Sequence, residues 1–185
     1  MELELIITVV GIIFLALFWW FTDPRKISFF SDLKSANTGM LTMFEIFTIA
    51  PACIVYLFTP QFSLNYNQLF VYVGLFIFII GILFSVWAKI VMGKNWNQPV
   101  EHVIERQSEI VKDGPFKYSR NPIYVGIVVF VTGFFITLKS PFIITLLILS
   151  KILNNIISKE EENLEKLFEE KYMEYKKQVP RYLLF

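Results

Sequence analysis

The chain has 185 residues, 55% of them hydrophobic and 17% aromatic, and its 17 Lys and Arg against 16 Asp and Glu leave a formal net charge of +1. So much apolar surface exceeds what a soluble domain buries, and the chain reads as an all-α integral membrane protein. The small net charge, with no basic stripe, argues against nucleic acid as a partner. One cysteine, Cys53, and one histidine, His102, exclude an intramolecular disulfide and supply no usual metal-binding donor set.

Five stretches have the apolar length of membrane-spanning helices: residues 3–21, 40–60, 69–92, 122–138 and 141–157. The first is flanked by Glu2 and Glu4 instead of basic residues and is followed by no small-residue cleavage site, so it is expected to stay in the membrane. Gly74 and Gly81 in the third stretch, and Gly126 and Gly133 in the fourth, are spaced to share a helix face on which small residues let neighbouring backbones approach closely. The last two stretches, of about 17 residues or roughly 25 Å each, are short for a ~30 Å core. Only Lys139 and Ser140 separate them, which predicts a tight helical hairpin.

From Glu160 onward, Leu164, Leu167, Phe168, Tyr172, Tyr175 and Val179 recur at three- and four-residue spacing. This predicts a C-terminal amphipathic helix that lies on the membrane surface or caps the bundle. Glu160 and Glu161 flank its apolar face, and Glu162 points away. The whole forms one domain, with N-terminal spans in residues 1–86 and a core in residues 87–181.

Fifteen of the 17 Lys and Arg fall in the first loop, at or in the third loop, or in the tail, whereas Lys139 stands alone on the opposite side and Lys151 lies inside a span. The excess of basic residues marks the cytosolic side, so the N-terminus is expected outside, with the third loop and C-terminus in the cytosol. Glu45 and Lys151 both fall in the cytosolic half of their spans. Such groups pair or border a cavity, here together with Asn154 and Asn155.

The richest motif is Gly114 to Gly126, GPFKYSRNPIYVG, which sets a basic turn against an apolar helix. Gly114-Pro115 signals the turn, and Asn121-Pro122 reads as a helix cap followed by the first helical residue. The N–H groups of that helix start lie beside Lys117, Tyr118, Arg120 and Tyr124, a plausible site for a carboxylate or phosphate.

Taken together, Trp87-Ala88, Gly93, Asn95-Trp96, VKDGPFKYSRNPIYVG, a two-helix hairpin and EEENLEKLFEEKYMEYKKQVPR resemble the isoprenylcysteine carboxyl methyltransferase and phospholipid methyltransferase superfamily of membrane enzymes. The likeness covers residues 87–181. It implies S-adenosylmethionine as cofactor, entering from the cytosol, and a membrane lipid or lipophilic small molecule as methyl acceptor, entering from the bilayer. Carried over residue by residue, the cofactor motif falls on Arg120, Asn121, Pro122, Tyr124 and Gly126, and the cofactor site is expected to include Lys112, Gly114, Pro115, Tyr118 and Glu161 as well. Catalytic roles are expected of Glu160, Glu161, Asn121 and Lys151. The cofactor's carboxylate suits the helix start at Pro122, and its cationic groups suit Glu160 or Glu161. Gly126 leaves room for a ligand or for a neighbouring helix.

The chain departs from the superfamily pattern at four positions. Asn121 stands where His is frequent, so the position can cap and hydrogen-bond but not handle protons. Ile156 replaces an Arg four residues before the glutamate pair, which disfavours a carboxylate acceptor and leaves an amine, a thiol or an isoprenoid-type group. Lys151 is the candidate substitute for that lost cation. Glu169 replaces a Gly, a change expected to touch only the surface helix, and Ser108 replaces a His. Two competing functions remain open to the sequence: a nicotinamide-dependent reductase, for which the spans are too few, and a non-enzymatic transporter or assembly protein retaining the pocket.

Overall fold

The computed structural model describes residues 2–22, 48–58, 63–65, 67–95 and 108–183. Glu45, Trp96, His102 and the basic first loop lie outside the described residues, as does much of the second predicted span. The described elements are α1 (Glu2–Thr22), α2 (Ala50–Phe58), α3 (Gln68–Met92), 3-10 turns at Gly93–Asn95 and Gly114–Lys117, α4 (Pro122–Thr137), a third 3-10 turn (Pro141–Thr145) leading into α5 (Leu146–Phe168), and α6 (Glu170–Gln178). No β-strand occurs among the described residues.

Local chemistry accounts for most boundaries. Asn67 caps α3 by accepting from the Phe70 N–H at 3.3 Å. Pro122 occupies the first position of α4, where its missing N–H and fixed φ suit a helix start. The Ser140 hydroxyl accepts from the Phe142 N–H and opens the turn into α5, so the predicted hairpin through Lys139 and Ser140 is present.

One predicted boundary is absent. The fifth span and the start of the tail helix are a single helix, α5, which continues through Glu160 without a break. Ile157-Ser158-Lys159-Glu160 changes polarity but holds no helix breaker, and the backbone ladder is indifferent to side-chain charge. The break comes instead at Glu169, with φ 47° and ψ −122°. This is the position where the superfamily resemblance expects glycine, so the departure concerns the junction of two helices as well as a surface. Gly93 ends α3 in nearly the same conformation, φ 52° and ψ −123°.

The helices pack in a fixed sense. Gln68 Nε2 donates to Glu4 Oε1 at 2.7 Å, Gly11 faces Phe78, and Lys89 Nζ lies 5.6 Å from the Trp19 ring centroid, so α1 and α3 run parallel. α3 and α4 run antiparallel through the predicted glycine faces, which meet each other. A Cβ placed on Gly74, Gly81, Gly126 or Gly133 would come closer than 3.0 Å to the opposing helix. Ala52 of α2, Phe78 of α3, Val131, Phe134 and Phe135 of α4, and Leu149 and Leu153 of α5 form the buried centre.

Two helices, residues 68–95 and 141–168, are long and apolar enough to cross a membrane, and 3–19 and 122–137 are shorter apolar helices. Only 33% and 22% of the apolar windows of the two long helices are buried. Ile6, Val10, Phe76, Leu83, Ile90, Ile144 and Leu147 project outward. A soluble core helix would hide these faces, whereas a lipid-facing helix would not.

Beyond the bundle, Tyr172, Tyr175 and Val179 form a second cluster with Ile110, Leu164 and Phe168. Leu167, assigned to the same face by spacing, is 39% exposed, because the helix breaks two residues later and α6 does not prolong the stripe. Glu162 points outward as expected and pairs with Lys166 at 2.6 Å.

Candidate active site

The start of α4 and the charged end of α5 meet. The Tyr124 hydroxyl donates to Glu160 Oε1 at 2.7 Å. On the next residue of α5, Glu161 Oε1 accepts from Arg120 Nε at 3.0 Å and Asn121 Nδ2 at 3.1 Å, while Oε2 accepts from Arg181 at 2.6 and 3.1 Å. All four acceptor directions of the Glu161 carboxylate are therefore used, and the residue is 2% exposed. Burial pushes its carboxyl up, but the hydrogen bonds and charges of Arg120 and Arg181 outweigh that and hold it below the ordinary carboxylate value. Arg181 responds in kind, its own pKa raised by Glu161.

Glu160 is a different kind of group. It is half-buried and its hydrogen bond from Tyr124 engages one oxygen. The apolar part of α5 ends at Ile157, three residues before Glu160. Its burial raises the carboxyl pKa to about 7, against the lowering effect of the Tyr124 hydroxyl and with a further push from Glu161. Adjacent helical residues point about 100° apart. One member of the pair thus faces the internal cations and the other faces Tyr124.

The tail braces this corner. The Arg120 N–H donates to the Pro180 carbonyl at 2.9 Å, and Arg120 Nη1 donates to Val179 O at 2.7 Å. The Tyr175 hydroxyl donates to Phe116 O at 2.7 Å, fixing the buried Gly114–Lys117 turn to α6. Lys112 Nζ stands 5.7 Å from the Tyr175 ring centroid. Gly114 has φ 54° and faces Val91 and Trp87, which sets the turn against the end of α3. Ser108 donates to Asn95 through both its N–H and its hydroxyl, at 3.2 and 3.1 Å.

One expected role is corrected. Asn121 occupies the cap position of α4, but its side chain makes no cap hydrogen bond, because its amide is drawn to Glu161 and to the Arg181 carbonyl. Of the two uses open to Gly126, the structure shows close helix approach: the Ser85 side chain and Gly81 carbonyl occupy the space a Cβ would need. Arg120, Asn121, Pro122, Tyr124, Glu160 and Glu161 come together, and Gly114 and Pro115 build the turn beside them. Tyr118 is 62% exposed, and Lys117 pairs with Asp113 at 3.7 Å. Lys151 is exposed on α5 outside the network, and Ile156 is fully buried.

Sequence reasoning missed Arg181, Ser119 and Ser158. The Arg181 carbonyl accepts from Ser119 Oγ at 3.1 Å, and its guanidinium reaches Asn154 and Ser158 at 3.3 and 3.4 Å. A signal was available: a buried carboxylate needs donors for both oxygens, and Arg181 ends the VPR segment. Lys89, in the last turn of α3, is 4% exposed, with Nζ 5.6 Å from the Trp19 ring centroid.

Among the described residues the chain is an all-helical apolar bundle with a carboxylate and guanidinium network at its charged end. The phospholipid methyltransferase family profile matches residues 69–171, more than half of the chain, and the chain belongs to that family. It is also similar to Protein-S-isoprenylcysteine O-methyltransferase of Xenopus laevis, at 30% identity over 115 residues, covering 61% of this chain. The chain spans 40% of the length of that relative. No solved structure matches it significantly.

Proposed function

We propose that this chain is an S-adenosylmethionine-dependent methyltransferase that works at the cytosolic face of a membrane on a small or lipophilic acceptor. The observation that carries the reading is the junction of the first turn of α4 with the paired glutamates of α5, through Tyr124–Glu160 and Arg120–Glu161. When bound, S-adenosylmethionine supplies an electrophilic methyl group on a sulfonium.

The residues present fit such a ligand. Glu160 has an oxygen beyond its Tyr124 bond with which to hold a cationic group. The first turn of α4, left without a side-chain cap, offers backbone N–H groups to a carboxylate. Glu161, saturated by three side chains, acts as the brace that keeps these two elements together. Tyr124 orients Glu160. The turn at Gly114–Lys117 and the tail from Val179 enclose the same corner, so the chain's contribution is placement and exclusion of water.

Five membrane crossings are part of this proposal. The parallel arrangement of α1 and α3 supports α2 as part of a second span. The antiparallel α3–α4 pair and the α4–α5 hairpin supply the rest. With basic residues marking the cytosol, the N-terminus is outside and the glutamate pair is cytosolic.

For the acceptor, the likeness to an isoprenylcysteine O-methyltransferase supports a lipidated or lipophilic molecule. Ile156, buried where the superfamily resemblance expects Arg, places no cation for a carboxylate there. An amine, thiol or isoprenoid-type acceptor therefore fits better. Lys151, Asn154 and Asn155, exposed on α5 ahead of Glu160, form its proposed approach. Calorimetry of the purified protein with S-adenosylmethionine tests the reading, with micromolar binding expected and its loss in Glu160→Gln. Binding of a nicotinamide nucleotide in its place, or of neither ligand, overturns it. Methyl-labelled cofactor with lipid extracts then identifies the acceptor.

A further inference from the structure

We propose that Arg181 is a positioning residue of this site: by engaging Glu161 opposite Arg120, it holds that carboxylate inward and reserves the neighbouring Glu160 for the ligand. The inference rests on the methyltransferase reading of the site and concerns a residue beyond the 69–171 family match.

Three features single out Arg181. Its guanidinium takes one whole oxygen of Glu161, through Nε at 3.1 Å and Nη2 at 2.6 Å, leaving the other to Arg120 and Asn121. Its remaining nitrogen, Nη1, reaches Asn154 and Ser158 farther back on α5, so the fork spans two turns of the helix that carries both glutamates. Its carbonyl accepts from Ser119 Oγ and Asn121 Nδ2, immediately before α4. One residue thereby fixes the separation of the two elements that form the site. A lysine in its place keeps the charge but cannot reproduce the fork.

The tail does not depend on this side chain for its path. The Pro180 and Val179 carbonyls are held by Arg120, and the Arg181 carbonyl by Ser119, in contacts that survive a change at the Arg181 side chain. The consequence of losing the guanidinium is electrostatic and local. Glu160 is faced by Tyr124 from α4 and by Glu161 on its own helix, with Arg120 and Arg181 neutralising Glu161 from the loop and the tail, and Lys159 adjacent. Removing Arg181 leaves Glu161 undercompensated, and its charge then favours the protonated form of Glu160.

The test uses Arg181→Gln and Arg181→Lys in the full-length protein in detergent or nanodiscs. The Glu160 carboxyl is titrated by infrared difference spectroscopy, assigned with Glu160→Gln, alongside calorimetry with S-adenosylmethionine and S-adenosylhomocysteine. Arg181→Gln is expected to move the Glu160 titration upward by roughly half to one pH unit and weaken cofactor binding by on the order of tenfold. Arg181→Lys is expected to keep the wild-type titration, with binding several-fold weaker. A wild-type titration and affinity in Arg181→Gln overturns the proposal. Should that variant fail to fold, wild-type affinity in Arg181→Lys does so. If wild-type protein binds neither cofactor form, the methyltransferase reading fails while the infrared titration still reports on Arg181.

Discussion

The Tyr124 hydroxyl donates a 2.7 Å hydrogen bond to Glu160 across 36 residues of sequence, joining the first turn of α4 to the charged end of α5. This bond lowers the proton affinity of a carboxyl that burial raises to about 7. If ionised Glu160 holds a cationic group, activity rises with pH through that region. Tyr124→Phe removes the lowering influence, so the acid limb of its pH–rate profile is expected to move to higher pH. Glu160→Gln is expected to lack that limb and to bind S-adenosylmethionine about 10- to 100-fold more weakly, the loss of one charge-assisted hydrogen bond. A Tyr124→Phe limb at or below the wild-type position would contradict this account.

The neighbouring glutamates should part company in stability. Glu161→Gln leaves Arg120 and Arg181 facing a neutral amide, and breaking a buried pair in this way costs about 3–5 kcal/mol. Because Glu161 has a lowered pKa in the folded state, its contribution is complete above about pH 4.5 and is lost as acid protonates it. Glu160, with a raised pKa, acts oppositely: it disfavours the folded state as pH rises from 4.5 through about 7. Thermal melts in detergent at pH 7.5 or so are expected to place Glu161→Gln well below wild type, and Glu160→Gln at or above it while activity falls. Equal melting of the two variants would refute the division of labour.

Much of this site was legible because its parts are local. Asn121-Pro122 announces a helix start, the seven-residue glycine spacing announces close helix faces, and Lys139-Ser140 leaves room only for a tight hairpin. That hairpin brings Tyr124 and Glu160 to the same end of the bundle once both helices are assigned. The contacts that the sequence concealed depend on orientation or on distant pairing. Consecutive glutamates look interchangeable until the phase of α5 directs one to the arginines and one to Tyr124. Arg181 meets Glu161 only because Pro180 and the end of α6 turn the chain back. The continuity of α5 was obscured for another reason: a change from apolar to charged residues resembles an element boundary, although it alters only the solvent the helix meets.

The α3–α4 interface yields a prediction in which size alone is at stake. Gly133 faces the backbone of Phe78 and Gly74, and Gly81 faces the backbone of Phe130. Neither contact ends on a flexible tip that can swing away, so an added methyl must separate the helices. Gly133→Ala and Gly81→Ala are each expected to destabilise by about 1–3 kcal/mol, the usual range for overpacking. Because α4 carries Tyr124 in its first turn and Arg120 just before it, the same variants are expected to weaken cofactor binding without touching the site. Wild-type melting temperatures in both would mean that the helices do not meet through these faces.

Glu169 and Gly93 allow the backbone to be tested apart from packing. Both end a long helix with φ near 50° and ψ near −122°, a conformation that an L side chain adopts at a cost of roughly 1–3 kcal/mol. Glycine pays little for it, and Glu169 carries the strain. Replacing Glu169 with Gly is therefore expected to stabilise the protein by about 1 kcal/mol, while sharpening the junction between α5 and α6 that presents the tail to Arg120. Gly93→Ala is the reciprocal experiment. Among the described residues, apart from its chain neighbours, no atom lies within 4 Å of the position a Cβ would take there, so a loss of stability reports on conformation. A gain at Glu169 matched by a comparable loss at Gly93 is the expected result. A loss at both positions would show that the Glu169 side chain holds the junction by contacts that outweigh its strain.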